Sequence, residues 1–303
     1  MVVLLVIMLA IGVSISVAVG LSSALAMLCM LDANISFATS AQRLFAGANS
    51  FSLIAIPFFI LAGNIMNNGG IAERIVNVAK VVAGRMPGAL AQSNVVANML
   101  FGAISGSGAA AAAAMGGTIG PMEKKEGYDP VYSAGVNIAS APTGMLIPPS
   151  NLMIVYSTIA GSVSVAALFM GGYVPGILWG LLVMFLAGVK AKKCGYVAER
   201  RIPAKDAMKI ILDAIPSLLL IVIIIGGIMC GVFTATEASA VAYAFVLSLI
   251  YKKVNLKGMI KIVVDSAKMT GIITFMIGLS SIMSWAVSYT HLRAHETDQY
   301  LVC

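Results

Sequence analysis

Charge, histidine and any metal-like cysteine pattern are all scarce in this chain. Only 10% of its 303 residues are charged, against about 25% in a soluble domain. With 60% hydrophobic residues and a mean hydropathy of +0.98, that deficit excludes a water-soluble enzyme, a disordered chain and a disulfide-rich secreted module. The two histidines, His291 and His295, stand together near the end. A histidine-based catalytic centre or zinc site elsewhere is therefore excluded. Cys29, Cys194, Cys230 and Cys303 have no metal-ligand spacing and read as small buried or interfacial hydrophobes.

What is present is a series of long runs without charge. Val2–Leu31 is uncharged and has no basic start, so it reads as a first transmembrane helix rather than a signal peptide. A polar linker is expected over Asp32–Ser50, then a short apolar segment, Phe51–Met66, ending at the turn signal Asn67-Asn68-Gly69-Gly70. Ile71–Arg85 places Ile71, Ile75, Val78 and Val82 at helical spacing between charged residues, the pattern of an amphipathic helix. Met86–Met122 and Val131–Val189 are uncharged, separated by the connector Glu123–Pro130. Ala214–Ile250, uncharged except for Glu237, reads as two spans, and Met269–Val287 as a last one. The net charge of +7 comes mainly from the basic segments Lys190–Lys209 and Tyr251–Lys268. Two spans between them put both on one face, which the positive-inside rule makes cytoplasmic. The basic balance thus marks membrane orientation, not nucleic-acid binding. Ser288–Cys303 breaks abruptly in composition and resembles translated adapter sequence; it is read as a non-native tail.

Three interruptions could carry chemistry. Gly102-Ala103-Ile104-Ser105-Gly106-Ser107-Gly108 lies within Met86–Met122. It lacks the lysine of a phosphate-binding loop and any partner for a nucleophilic serine. It is either close helix packing through small residues or the tip of a re-entrant hairpin, whose carbonyls and hydroxyls can replace a cation's water. The second, Thr143-Gly144-Met145-Leu146-Ile147-Pro148-Pro149-Ser150-Asn151, breaks a helix, because proline offers no N–H. The freed carbonyls are met by an ion or by another helix's Ser or Asn. Two discontinuous segments in one chain point to a transporter site. In the third, Thr234 and Glu237 have the spacing of a capping box, with a proton relay as the sharper alternative.

Leu61-Ala62-Gly63-Asn64-Ile65-Met66, Gly69-Gly70-Ile71-Ala72, Ile104-Ser105-Gly106-Ser107, Gly127-Tyr128-Asp129-Pro130, Ile147-Pro148-Pro149-Ser150 and Thr236-Glu237-Ala238 resemble, in order and spacing over residues 1–287, the large membrane subunit of TRAP (tripartite ATP-independent periplasmic) transporters. The resemblance implies an all-α, multi-pass protein of the bacterial inner membrane, with re-entrant hairpins, broken helices and an inverted-repeat, elevator-type architecture. It implies a sodium-coupled permease importing organic anions such as C4-dicarboxylates or sialic acid, not an enzyme, with Na⁺ as coupling ion and no cofactor. Its partners would be a small four-helix membrane subunit, a periplasmic binding protein and membrane lipid. By motif, Na⁺ would be held by Ser105, Ser107 and backbone around Gly144, Ile147 and Pro149. Thr143, Ser150 and Asn151 would lie near substrate. Residues 1–209 would form the N-terminal spans and first repeat, with the hairpin near 100–118 and the broken helix near 142–151. Residues 210–287 would begin a second repeat, incomplete here because family members are longer. A stand-alone sodium- or proton-coupled anion carrier and a non-transporting membrane scaffold are the competing readings.

Overall fold

The computed structural model describes residues 1–68, 71–160, 163–196, 203–232, 234, 236–239, 246 and 256–300. The expected turn at Gly69-Gly70, the basic residues Arg200, Arg201, Lys252 and Lys253, and most of the helix expected to run to Ile250 lie outside the described residues. The described chain is built from helices and turns and divides into two compact units. One comprises Met1–Leu53 and Lys268–Cys303, the other Ile54–Ala267.

The first unit holds α1 (Val2–Ala10), α2 (Ile15–Leu28), α3 (Ala33–Ala48) and the later part of α14 (Leu256–Tyr300). The single span expected over Val2–Leu31 is two short helices. Gly12, at φ +89°, turns the chain between them. The expected polar linker is also helix. Ala33–Ala48 contains no proline and only Gly47, so its polarity marks a half-exposed helix rather than a loop. Small residues let these helices approach α14: a methyl on Gly47 would lie 2.6 Å from Ser281 Cβ. Met27, Leu279, Ile282 and Ala286 form the local core. The Arg43 guanidinium lies 5.8 Å above the Trp285 ring.

The second unit runs through α4 (Ala55–Asn68), α5 (Ile71–Ala83), α6 (Ala89–Ser105), α7 (Gly108–Thr118), α8 (Gly120–Lys125), α9 (Pro130–Ser140), α10 (Thr143–Leu146), α11 (Asn151–Ala160), α12 (Val165–Cys194) and α13 (Ala204–Met229). α6 is its centre and is buried on nearly every side, polar residues included. Small side chains and polar groups with internal partners make this possible. Gln92 donates to Met184 O at 2.8 Å, tying α6 to α12, and Gly180 of α12 sits against Met99. α5 is the expected amphipathic helix; Ile75, Val76 and Ala79 enter the core. Its Arg74 pairs with Asp213 of α13 at 3.1 Å.

α12, α13 and residues Lys257–Tyr289 of α14 are long and apolar enough to cross a bilayer. Pro130–Leu146 with Asn151–Ser157 passes the same test of length and apolarity only as a pair, bent by 46°, the shape of a broken span or a re-entrant loop. The basic segment Lys190–Lys209 is partly helical, since α12 ends at Cys194 and α13 starts at Ala204. Lys192 and Lys193 occupy the last turn of α12, where their charge complements the helix dipole. Thr234 and Glu237 form a capping box: Thr234 N–H donates to Glu237 Oε2 at 2.8 Å and Glu237 N–H to Thr234 Oγ1 at 3.4 Å. Glu237 is exposed and acts as a cap.

Candidate functional site at two helix breaks

α6 and α7 form the expected hairpin arms. α6 ends at Gly106, at φ +63°, whose N–H donates to Gly102 O at 2.7 Å. This left-handed position favours glycine. Ser107 then caps α7, its hydroxyl accepting from Ala110 N–H at 3.3 Å. Ser105 Oγ donates to Ser107 O at 3.3 Å. The tip is thus a tight Ser-Gly-Ser turn, with Ser105 buried and Ser107 half-buried.

The second break follows from Pro148 and Pro149. Neither nitrogen carries a hydrogen, so the carbonyls four residues earlier, Gly144 O and Met145 O, lose their helical donors. The buried Ser150 hydroxyl donates to Met145 O. Gly144 O receives no such helical bond. Thr143 Oγ1 donates to Ser140 O at 2.6 Å, anchoring α10 to the end of α9. The peptide bond between Pro148 and Pro149 is cis.

The two breaks meet. Gly102 and Gly144 touch Cα to Cα, so a methyl on either would collide with the other's backbone. Asn151 N–H donates to Gly106 O at 3.4 Å, and Asn151 Nδ2 lies 3.5 Å from Ser105 O. Asn151 Oδ1 is buried with no hydrogen-bond partner. Gly63 of α4 packs on Ser105, with a would-be methyl at 3.3 Å, which gives the Gly63-Asn64 motif a packing role. Of the expected site residues, Ser105, Ser107, Gly144 and Asn151 come together here. Ser150 folds back on its own helix, Pro149 is buried in the break, and the Ile147 side chain packs on Gly176 of α12. Ile147 and Pro149 can therefore contribute only backbone oxygen.

Chemically, the junction offers uncharged oxygen ligands beside the N-termini of α7 and α11. Hydroxyl and carbonyl oxygens suit a hard monovalent cation, and helix N-termini suit an anion. Among the described residues no group of His, Cys, Asp and Glu could hold a metal ion.

A buried amide network behind the hairpin escaped the sequence reading. Asn98 Nδ2 lies 2.8 Å from Asn94 Oδ1, 3.0 Å from Asn137 Oδ1 and 2.8 Å from Ser140 Oγ. Asn137 Nδ2 donates to Ala112 O at 2.8 Å, joining α9 to the return arm. The available signal was Asn94 and Asn98 four apart in an uncharged helix, on one face. The sequence reading placed Glu123 in the charged connector between two apolar runs, yet it is 1% exposed.

Comparison with known proteins gives the chain a family. The family described as tripartite ATP-independent periplasmic transporter, DctM component, matches residues 2–298. The chain belongs to this family. It is 49% identical over 93% of its length to the uncharacterized protein YgiK of Salmonella typhimurium. It is 36% identical over 92% to the sialic acid TRAP transporter large permease SiaM of Vibrio cholerae, and 36% over 85% to the C4-dicarboxylate TRAP transporter large permease DctM of Rhodobacter capsulatus. The matched regions cover 65%, 65% and 61% of those relatives, so the chain spans just under two thirds of their length. As a member of the DctM component family it is an all-α protein of the inner membrane, with three helices among the described residues long and apolar enough to cross it.

Proposed function

We propose that this chain is the permease portion of a sodium-coupled importer of organic anions, with the ion held where the two helix breaks meet. The observation that carries the reading is the direct contact of Gly102 with Gly144 and of Gly106 with Asn151. Two discontinuous helices that touch through backbone leave carbonyls and hydroxyls together at one point. In this reading Ser105, Ser107 and the backbone oxygens of Gly144, Ile147 and Pro149 ligate Na⁺. Thr143, Ser150 and Asn151 line the anion's path. Asn151 is the stronger of these, because Thr143 and Ser150 already spend their hydroxyl hydrogens on Ser140 O and Met145 O. Each Na⁺ entering through 100 mV, inside negative, yields about 2.3 kcal/mol, enough for two ions to concentrate an anion without ATP.

The names of the relatives support a carboxylate cargo: C4-dicarboxylate in one, sialic acid in another. We read the partners as a periplasmic binding protein that delivers the anion and a small four-helix membrane subunit. Inverted repeats moving as an elevator complete the account, with residues 1–209 as the N-terminal spans and first repeat and 210–287 opening the second. The test is uptake into proteoliposomes by the native protein with its binding protein and small subunit. Carboxylate accumulation driven by a sodium gradient supports the reading. Accumulation driven equally by a potassium gradient, or without the binding protein, favours the stand-alone carrier, and no transport with intact assembly favours the scaffold.

A further inference from the structure

A second polar site lies at the base of the hairpin and shares no residue with the two breaks. Glu123 belongs to α8; the next residues, Lys124, Lys125 and the C-cap Glu126, are exposed while Glu123 itself is buried. It opens on a cavity of about 280 Å³ lined by Asn94, Lys124, Tyr128, Ser133 and Asn137 among others, which has room for several waters. Glu123 Oε1, Asn94 Nδ2 and Ser133 Oγ are all buried there without a hydrogen-bond partner. A buried polar atom left unpaired is costly, and the Asn94 amide and Ser133 hydroxyl stand near enough to Glu123 to bond its carboxylate after a small shift.

Among the described residues no ion pair reaches this carboxylate, although the exposed Lys124 also lines the cavity. Helices α6 and α7, packed against α8, contain no charged residue. From the α8–α9 side the titratable groups are Tyr128 and Tyr132, with Tyr196 stacked on Tyr128, and the exposed N-cap Asp129. At the C-terminal end of α8, Glu126 adds a like charge. Burial holds the Glu123 carboxyl above the usual carboxylate range; the nearby Ser133 hydroxyl and Asn94 amide oppose this, and Glu126 reinforces it. Two of the three unpartnered atoms can donate hydrogen. That suits a protonatable carboxyl in a wet pocket better than a bare metal ion.

We propose that Glu123 and its cavity form a proton-binding site at the hairpin base. The proton passes between cavity water and the Glu123 carboxylate, with no other bond made or broken. The neutral acid donates its O–H inside the pocket, and the carboxylate instead accepts from Asn94 Nδ2 and Ser133 Oγ. Asn94 Oδ1 is bonded to Asn98, which reaches Asn137 and Ser140 on α9. The site's occupancy is therefore felt by the network that braces the hairpin against the broken helix.

The sign of the stability effect follows from linkage. The folded chain binds this proton more tightly than the unfolded chain, so stability is full below the ordinary carboxylate range. It falls as pH rises through the raised value. The test is a pH titration of the purified chain in detergent at fixed sodium, read by the infrared band of protonated carboxyl and by thermal unfolding. A carboxyl band persisting above the ordinary carboxylate range in wild type and absent in Glu123→Gln supports the site, as does a fall in unfolding temperature with pH that Glu123→Gln flattens. Glu126→Gln moves the titration to lower pH and Ser133→Ala to higher, which keeps the test alive should Glu123→Gln fail to fold. An identical band in Glu123→Gln, or no shift in either neighbour variant, overturns the proposal. A sodium response lost in Glu123→Gln, with the carboxyl ionised throughout, makes this a metal site and overturns it too. Because sodium is constant in the titration, the outcome is independent of the site at the two breaks.

Discussion

The hairpin tip and the broken helix interrupt two apolar stretches by opposite means. At the tip, Gly106 supplies a left-handed turn and the flanking serines absorb the freed groups: Ser107 caps α7 and Ser105 bonds Ser107 O. At the broken helix, two prolines withhold donors, and one serine, Ser150, answers one of the two carbonyls left open. A glycine break can close on itself, whereas a proline break cannot fully do so. On the proline side Asn151 Oδ1 is left buried without a partner, and the same residue lies against Gly106 and Ser105 of the glycine side. In the proposed reading the cation site forms where the two kinds of break meet.

The largest expected effect comes from wedging the contact open. Gly102→Ala or Gly144→Ala drives a methyl into backbone, and neither backbone can move cheaply. Each should lose about 3 kcal/mol in chemical unfolding, the upper end for overpacking. Gly117→Ala, in the same hairpin but facing open space, should gain up to about 1 kcal/mol. Equal effects at the three positions would show that the breaks do not touch. Next, Ser150→Ala leaves Met145 O buried and unanswered and should cost about 1–3 kcal/mol. Ser107→Ala removes a helix cap and should cost about 1 kcal/mol, less than Ser150→Ala if the proline side is the poorer in donors. Smallest is Thr234→Ala, which breaks the exposed capping box away from both interruptions, at about 0.5–1 kcal/mol. Thermal or denaturant unfolding of this variant should show an unchanged sodium response.

Much of this was legible in the sequence because membrane proteins announce their interruptions. Gly106 between two serines and Pro148-Pro149 inside uncharged runs are local signals, and both mark real breaks. Thr234 and Glu237 likewise give a cap from spacing alone. What the sequence concealed were properties of assembly. Asp32–Ser50 looks like a linker because polarity was the only cue, yet Ala33–Ala48 is helix. Glu123 looks solvated because its neighbours Lys124, Lys125 and Glu126 are; only the packing of α8 on α6 and α9 buries it. That Gly102 and Gly144 touch is a pairing between positions far apart, which no local pattern encodes. For the site, residue types and segments were readable. Which of Ser105, Ile147, Pro149, Ser150 and Asn151 converge, and through side chain or backbone, was not.

The most direct test of the central claim, that the two breaks form one cation site, is sodium-dependent thermal stabilisation of the chain in detergent, compared with potassium at equal ionic strength. The account predicts that sodium, and not potassium, raises the unfolding temperature, and that Ser105→Ala on the glycine side and Pro149→Ala on the proline side each abolish the rise. A sodium response that persists unchanged in both variants would contradict it.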